Sequence, residues 1–378
     1  LKNWRNFREA DMRLQDLTYV LGANATGKSN LLDVFRFLRD VSKSTGGGLQ
    51  QAIADRGGIS KIRCLHARRD TEVRIEVEVA ETPDALEPTW RYVLGFKAEG
   101  KGAQRILISA EEVWNGSGRL LGRPEPDDVT DAERLTQTHL EQIQANHAFR
   151  DLASFFGATT YLHLVPQLLK FDEKLGGRRI DDDPFGQGLL DQIAKMTPRT
   201  RDSRLRRIQE ALALAVPQFK QLRYRRDETN GRPHLEALYA HHRPQAGWQK
   251  EDQFSDGTLR LIGLLWSLLD GDSLLLIEEP ELSLNDSIVE QIPLMLHRAQ
   301  RMGKRRRQVI ISTHSEALLR QPGIDGRGIL VLELGPEGST VRQVDDQETL
   351  ALQSGFSVAE AVLPKLRPRN VAQLGMWQ

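Results

Sequence analysis

The stretch YVLGANATGKSNLLD, residues 19–33, limits what this chain can fold into more than any other. It completes the pattern G-x-x-x-x-G-K-[ST] with Gly22, Gly27, Lys28 and Ser29. Average residue usage produces that pattern by chance in roughly one chain in a hundred of this length. The flanks fit as well: LTYVL is short and β-rich, and NLLDVFRFLRD carries apolar residues at helical spacing. Strand, glycine loop and helix in that order form an anion cradle, because loop N–H groups and the helix N-terminus point at one spot. Lys28 then reaches the β- and γ-phosphates of a nucleotide, and the Ser29 hydroxyl ligates Mg²⁺. A plain turn between strand and helix is the alternative reading.

Composition narrows the setting. Acidic and basic residues balance at 52 each, so no global field draws the molecule to nucleic acid or membrane, and any polyanion site must be a local patch. The single cysteine, Cys64, forbids an internal disulfide and suits a reducing cytoplasm, where it reads as a small core residue. The opening LKNWRNFREADMR is too charged for a signal peptide. The longest apolar runs, LIGLLWSLL and SLLLI, fall far short of the ~20 residues a membrane span needs. A cytoplasmic protein with no membrane partner is expected.

Alternating patterns between 71 and 114 predict antiparallel strands with one wet face. Residues 131–156 and 187–215 read as mostly helical, and 171–186 as a surface loop. Strand character returns at FKQLRYRRDE and PHLEALYAHH. The strands bearing the phosphate-type motifs lie at opposite ends of the chain, which requires a parallel core sheet assembled from both ends.

Three further motifs carry chemistry. LLLIEEP ends an apolar strand in Glu278 and Glu279: a strand-end acid holds Mg²⁺ in P-loop enzymes, and an adjacent acid can orient the attacking water. The plain alternative is acids complementing a helix start. FSDGTLRL opens a helix with Ser255, Asp256, Gly257 and Thr258, in itself an N-cap. ISTHS places His314 at the end of the next apolar strand, where it could donate a hydrogen bond to a γ-phosphate.

In this order, GANATGKSN, FSDGTLRL, LLLIEEPELSL and ISTHS, the chain resembles ABC-type ATPases of the SMC, RecF and OLD sort. It is most similar to stand-alone bacterial AAA-type ATPases of antiphage defence operons, and LKNWRNF resembles the first strand of that group. The resemblance implies an α/β fold of the ABC-ATPase head type: a mixed, largely parallel core sheet, an antiparallel β subdomain and an inserted helical lobe. The expected division is 1–70 for the first part of the core, 71–125 for the β subdomain and 126–215 for the lobe. Residues 216–335 make the rest of the core and 336–378 a tail.

It also implies roles. Gly22, Ala23, Asn24, Ala25, Thr26, Gly27, Lys28, Ser29 and Asn30 match the ATP phosphate loop. Ser29 and Glu278 match the Mg²⁺ ligands, Glu279 the catalytic glutamate and His314 the switch histidine. Ser255 and Gly257 match a signature that reaches the γ-phosphate of another subunit, so a homodimer or higher homo-oligomer closed around ATP is expected. Leu284 and Asn285 match a loop crossing that interface.

The pattern also departs from the family. Asp256 stands where transporters carry a second glycine, and no Mg²⁺-sensing glutamine can be placed. No heptad coiled coil divides the chain, and no acid-rich nuclease domain is expected after residue 320. A separate effector protein is therefore expected, with SGFSVAEAVLPKLRPRNVAQLGMW as a docking element or a tail packed on its own core. DNA is a further candidate partner through RTRDSRLRR, RYRR and RMGKRRRQ, with Arg305, Arg306 and Arg307 the most concentrated charge, against a reading as solvated surface. Two rival functions remain beside the ATP-driven sensor or motor: a RecF-like DNA-binding clamp in repair, and a scaffold that binds ATP with little turnover.

Overall fold

The computed structural model describes residues 1–67, 70–100, 105–171, 185–240, 247–302 and 306–367. The chain divides into two compact units. The first comprises Leu1–Thr160, Gln308–His314 and Gly323–Gln378, and the second Tyr161–Arg307 and Ser315–Pro322.

In the first unit, β1 (Lys2–Trp4) and β2 (Phe7–Glu9) form a tight hairpin, followed by β3 (Leu17–Gly22). Four strands, β4 (Val73–Val79), β5 (Trp90–Ala98), β6 (Ile106–Asn115) and β7 (Gly118–Arg123), extend the hairpin into an antiparallel sheet of order β2-β1-β4-β5-β6-β7. The alternation of VRIEVEV with its partners produces it: Val73 and Ile75 are buried while Glu76 and Glu78 are exposed.

β3 behaves differently. Its residues Thr18 to Gly22 are all buried, as expected of a strand covered on both faces. Two strands from the far end of the chain run parallel to it, β13 (Val309–Thr313) on one side and β14 (Ile329–Gly335) on the other. β15 (Gly338–Gln343) closes an antiparallel hairpin on β14. The helix Lys28–Val41 packs beneath, with the Trp4 and Phe37 rings 5.1 Å apart and Phe37 on Phe96 at 5.5 Å.

The second unit holds β12 (Leu275–Glu278), with the last two residues of β8 (Thr160–Leu162) belonging to the same unit. It also holds the antiparallel sheet β11-β10-β9, formed by Gln249–Lys250, Pro233–Tyr239 and Phe219–Arg226. The helices Pro198–Ala215 and Asp256–Leu269 bury Leu205, Ile208, Leu212, Leu259, Ile262 and Trp266 in one core with Phe219 and Leu235.

Residues 131–149 differ from the helical expectation. They form two short 3₁₀ turns, Ala132–Thr136 and Ala145–Phe149, and a regular helix begins only at Arg150. Buried polar contacts outweigh helical spacing here, since Arg123 donates to Arg134 O, Gln137 O, Asp128 and Glu111 and fixes the chain irregularly. The surface-loop expectation for 171–186 falls largely on residues outside those described. Among the described residues no helix is long and apolar enough to cross a membrane.

Glu141 makes this region pH-sensitive. Its carboxylate accepts from the N–H of Leu49 (3.0 Å) and of Thr138 (2.6 Å). Burial nevertheless pushes it up to about 7, with Glu111 acting in the same direction. The folded state therefore holds a proton that the unfolded chain releases near the usual value of 4.5. Stability from this group is complete below that value and is lost as pH rises through about 7. The nearby His139 is lowered by burial and by Arg123, and works in the opposite sense. Between pH 5 and 8, urea unfolding of wild type minus Glu141→Gln should lose on the order of 2 kcal/mol. A difference flat in pH would remove Glu141 as the cause.

Candidate functional site

β3 delivers Gly22 to the mouth of the phosphate loop. A Cβ there would lie 2.4 Å from Thr26 Oγ1 and 2.9 Å from Leu332 O, so only glycine fits between the loop and β14. The loop then turns back through two left-handed residues, Ala25 (φ 65°) and Gly27 (φ 99°). Alanine is rare in that conformation, and such strain collects at ligand-binding loops. Thr26 Oγ1 donates to Ala23 O at 2.8 Å and closes the bend.

Lys28 begins the helix, buried, and its Nζ donates to Gly22 O (2.9 Å) and Ala23 O (3.3 Å). Its ammonium is thus curled over the loop that it would share with a phosphate. Ser29 and Asn24 are exposed. No side chain caps this helix and its first turn contains no acid, so the positive end of the dipole is left for an external anion. The helix is anchored further along by Asp33. Burial would raise that carboxyl, but Arg56, Arg5 and Arg36 outweigh burial and hold it below the ordinary range. Arg56 lies 3.0 Å from it, and Arg5 2.6 Å.

Asn6, in the β1–β2 turn, was not singled out by sequence reasoning. Its Nδ2 donates to Thr26 O at 2.9 Å and its Oδ1 accepts from Asn30 Nδ2 at 2.9 Å. Its own carbonyl accepts from Ser339 N at 2.7 Å, and its side chain bonds the Ser339 hydroxyl. Trp4 Nε1 donates to Asn30 O at 2.8 Å. A Cβ on Gly27 would come within 2.2 Å of Asn6 Nδ2. The hairpin therefore braces the loop from behind; the only signal in the sequence was an asparagine between Arg5 and Phe7 at a turn.

His314 belongs to this same unit and is exposed. The register of β13 on β3 pairs Thr313 with Leu21, so His314 follows at the level where the loop begins.

In the second unit, β12 ends at Glu278, and Glu279 adopts φ 43°. A left-handed glutamate is costly, about 1–3 kcal/mol. Tyr161 donates its hydroxyl to the Glu278 carboxylate, a contact no motif announced. Ser255 Oγ caps the helix Asp256–Leu269 by accepting from Thr258 N at 3.1 Å. A Cβ on Gly257 would lie 2.4 Å from Ser283 O, so glycine permits the helix start to press on the loop that follows Glu279. Asp256, the departure from the transporter pattern, is clasped by Gln167 Nε2 (2.7 Å) and Lys170 Nζ (2.6 Å). Asn285 caps the turn Asp286–Val289, and Leu284 packs against the core of its unit.

Lys28 and His314 thus stand in the first unit, and Glu278, Glu279, Ser255 and Gly257 in the second. The Ser29 hydroxyl and the Glu278 carboxylate are hard oxygen donors of the kind Mg²⁺ takes. Among the described residues no cluster of three metal-binding side chains occurs.

The basic cluster at 301–308 needs correction. Arg307 is buried, and donates to Ser273 O at 2.6 Å and to Ser267 O. It secures the end of the helix Asp256–Leu269 and cannot face a duplex; Arg305 lies outside the described residues, and Arg306 is exposed. In the tail, Val358 and Val362 are buried, so the apolar side of that segment is used internally, while Met376 and Trp377 lie outside the described residues.

A glycine loop on a parallel sheet with strand-end acids and a serine-glycine helix start defines a P-loop ATPase fold of the SMC-head type. The chain belongs to the family described as "AAA domain, putative AbiEii toxin, Type IV TA system", which matches residues 17–320. Its fold is similar to the Smc head bound to the C-terminal winged-helix domain of ScpA (TM-score 0.54, 15% identity, 92% of this chain and 97% of that one). Other similar structures are an Smc head with an extended coiled coil bound to the C-terminal domain of ScpA from Pyrococcus furiosus (0.49, 12%, 94% and 97%) and the SMC head domain from Thermotoga maritima (0.43, 14%, 91% and 97%). No curated protein matches the chain.

Asn6→Ala should weaken binding of a fluorescent ATP analogue about tenfold, the equivalent of one or two neutral hydrogen bonds, without lowering the melting temperature appreciably. Affinity equal to wild type would show that the loop holds its shape unaided.

Proposed function

We propose that the chain binds and hydrolyses ATP with Mg²⁺, dimerises around it, and passes the resulting change to a separate effector in bacterial antiphage defence. The observation that carries this reading is the phosphate loop, with an uncapped helix start, no acid in its first turn and Lys28 folded over it.

On this reading Lys28 exchanges the carbonyls of Gly22 and Ala23 for the β- and γ-phosphates, while N–H groups from Ala25 to Ser29 take the phosphate oxygens. Ser29 and Glu278 would hold Mg²⁺, which neutralises charge developing on the β- and γ-oxygens. Glu279 orients the attacking water and accepts its proton as the water oxygen bonds to the γ-phosphorus and the bond to the β–γ bridging oxygen breaks. His314 donates to a γ-phosphate oxygen. Ser255 and Gly257 of a second copy complete the site, with Ser255 exchanging its capping bond for a phosphate contact. Tyr161 keeps the Glu278 carboxylate oriented.

A protein partner is supported by the similar Smc head that is bound to the C-terminal winged-helix domain of ScpA. The alternative of a DNA clamp loses one of its three named arginines, because Arg307 is buried.

Glu279→Gln should retain ATP binding and lose hydrolysis by at least about a hundredfold, as expected for removal of a general base. Wild-type turnover in that variant would sink the assignment. In a second test, Ser255→Arg and Lys28→Ala chains, each inactive alone, are mixed. The mixed dimer contains one intact composite site and one doubly broken site, so activity should partly return. Mixed dimers demonstrated by mass with no recovery would argue against action across subunits.

A further inference from the structure

The helix Pro198–Ala215 breaks the usual charge rule at its start. Arg199 and Arg201 crowd its positive end and no acid occupies its first turn, the reverse of what the helix dipole favours. The nearer of its two acidic residues, Asp202, is paired with Arg201 at 3.5 Å, and Arg201 itself stacks 3.9 Å from the Tyr224 ring centroid. While Leu205, Ile208 and Leu212 face the core, the opposite side borders an open cavity of about 300 Å³. That cavity is lined by Arg199, Thr200, Ser203, Arg204, Arg207 and Leu269.

Arg204 is fixed in this wall. Its Nη1 donates to Asp270 Oδ1 at 2.8 Å and its guanidinium lies 5.3 Å from the Trp266 ring centroid. Asp270 is thereby occupied. Arg199 and Arg207, two turns apart on the same face, are exposed, and neither has an ion-pair partner among the described residues. Between them stand the hydroxyls of Thr200 and Ser203. Guanidinium forks two turns apart with hydroxyls between them match the several oxygens of a phosphate better than the two of a carboxylate. Leu269 offers an apolar wall to the sugar or base attached.

We propose that this cleft is a phosphate-ester site outside the phosphate loop, taking either a backbone phosphate of nucleic acid or the phosphate of a free nucleotide. It holds whether or not the chain turns over ATP. A bound anion would relieve both the repulsion among the arginines and the unfavourable charge at the helix start.

The test uses the full chain. Binding of a labelled duplex of about 20 base pairs, without nucleotide, is followed by anisotropy between about 50 and 200 mM salt. Arg199→Glu/Arg207→Glu should weaken it at least about tenfold and lower the log–log salt slope by about two. Arg199→Lys/Arg207→Lys should retain most of the affinity, and Arg199→Gln/Arg207→Gln should fall between, which separates charge from fold. In parallel, pyrophosphate and ADP are titrated calorimetrically into a Lys28→Ala chain with and without the charge reversal. Loss of duplex binding alone assigns the nucleic-acid source, and loss of pyrophosphate or ADP binding alone assigns the free-phosphate source. If the reversal changes neither, or if neither kind of ligand binds the unreversed chain, the cleft is not a phosphate site.

Discussion

β3 is held in parallel register from both sides, and the geometry of the phosphate loop follows from that confinement. Pairing of Leu21 with Thr313 and of Gly22 with Leu332 fixes where the strand stops. Because Leu332 O crowds the space beside Gly22, the chain must leave the sheet at that residue and with no side chain. The bend at Thr26, the left-handed step at Gly27 and the helix start at Lys28 follow from one exit point.

Electrostatics then aligns the helix. Buried Asp33 is compensated by arginines from the first hairpin and from the loop after the helix Leu49–Ala54, so one carboxylate draws two segments onto the P-loop helix. Breaking such a buried group typically costs about 3–5 kcal/mol because the remaining charge is left uncompensated. The second unit uses the same device on a smaller scale: Gln167 and Lys170 hold Asp256, and their helix thereby positions the serine-glycine start.

What was legible in the sequence was local. The glycine loop, the strand ending in Glu278 and Glu279, the cap at Ser255 and the strand before His314 each depend on a few adjacent residues, and the structure places them as strand ends and helix starts. Asn6, Tyr161 and Gln167 were not legible in their roles, since their partners lie 20, 117 and 89 residues away. Composition misled at Arg307, where a run of basic residues suggested surface. Two carbonyls at the end of a core helix and the start of β12 claim that guanidinium instead. Periodicity misled at 131–149, where Arg123 and Glu111 hold the chain through side-chain bonds that have no period.

The bracing of β3 by β13 and β14, and of the loop through Asn6 by Ser339, has a consequence for how the molecule is made. Along the chain, the phosphate loop precedes its flanking strand β14 and its brace Ser339 by roughly three hundred residues. At about 5–20 residues per second that interval is on the order of tens of seconds. Through that time a nascent chain has the motif without the scaffold that shapes it.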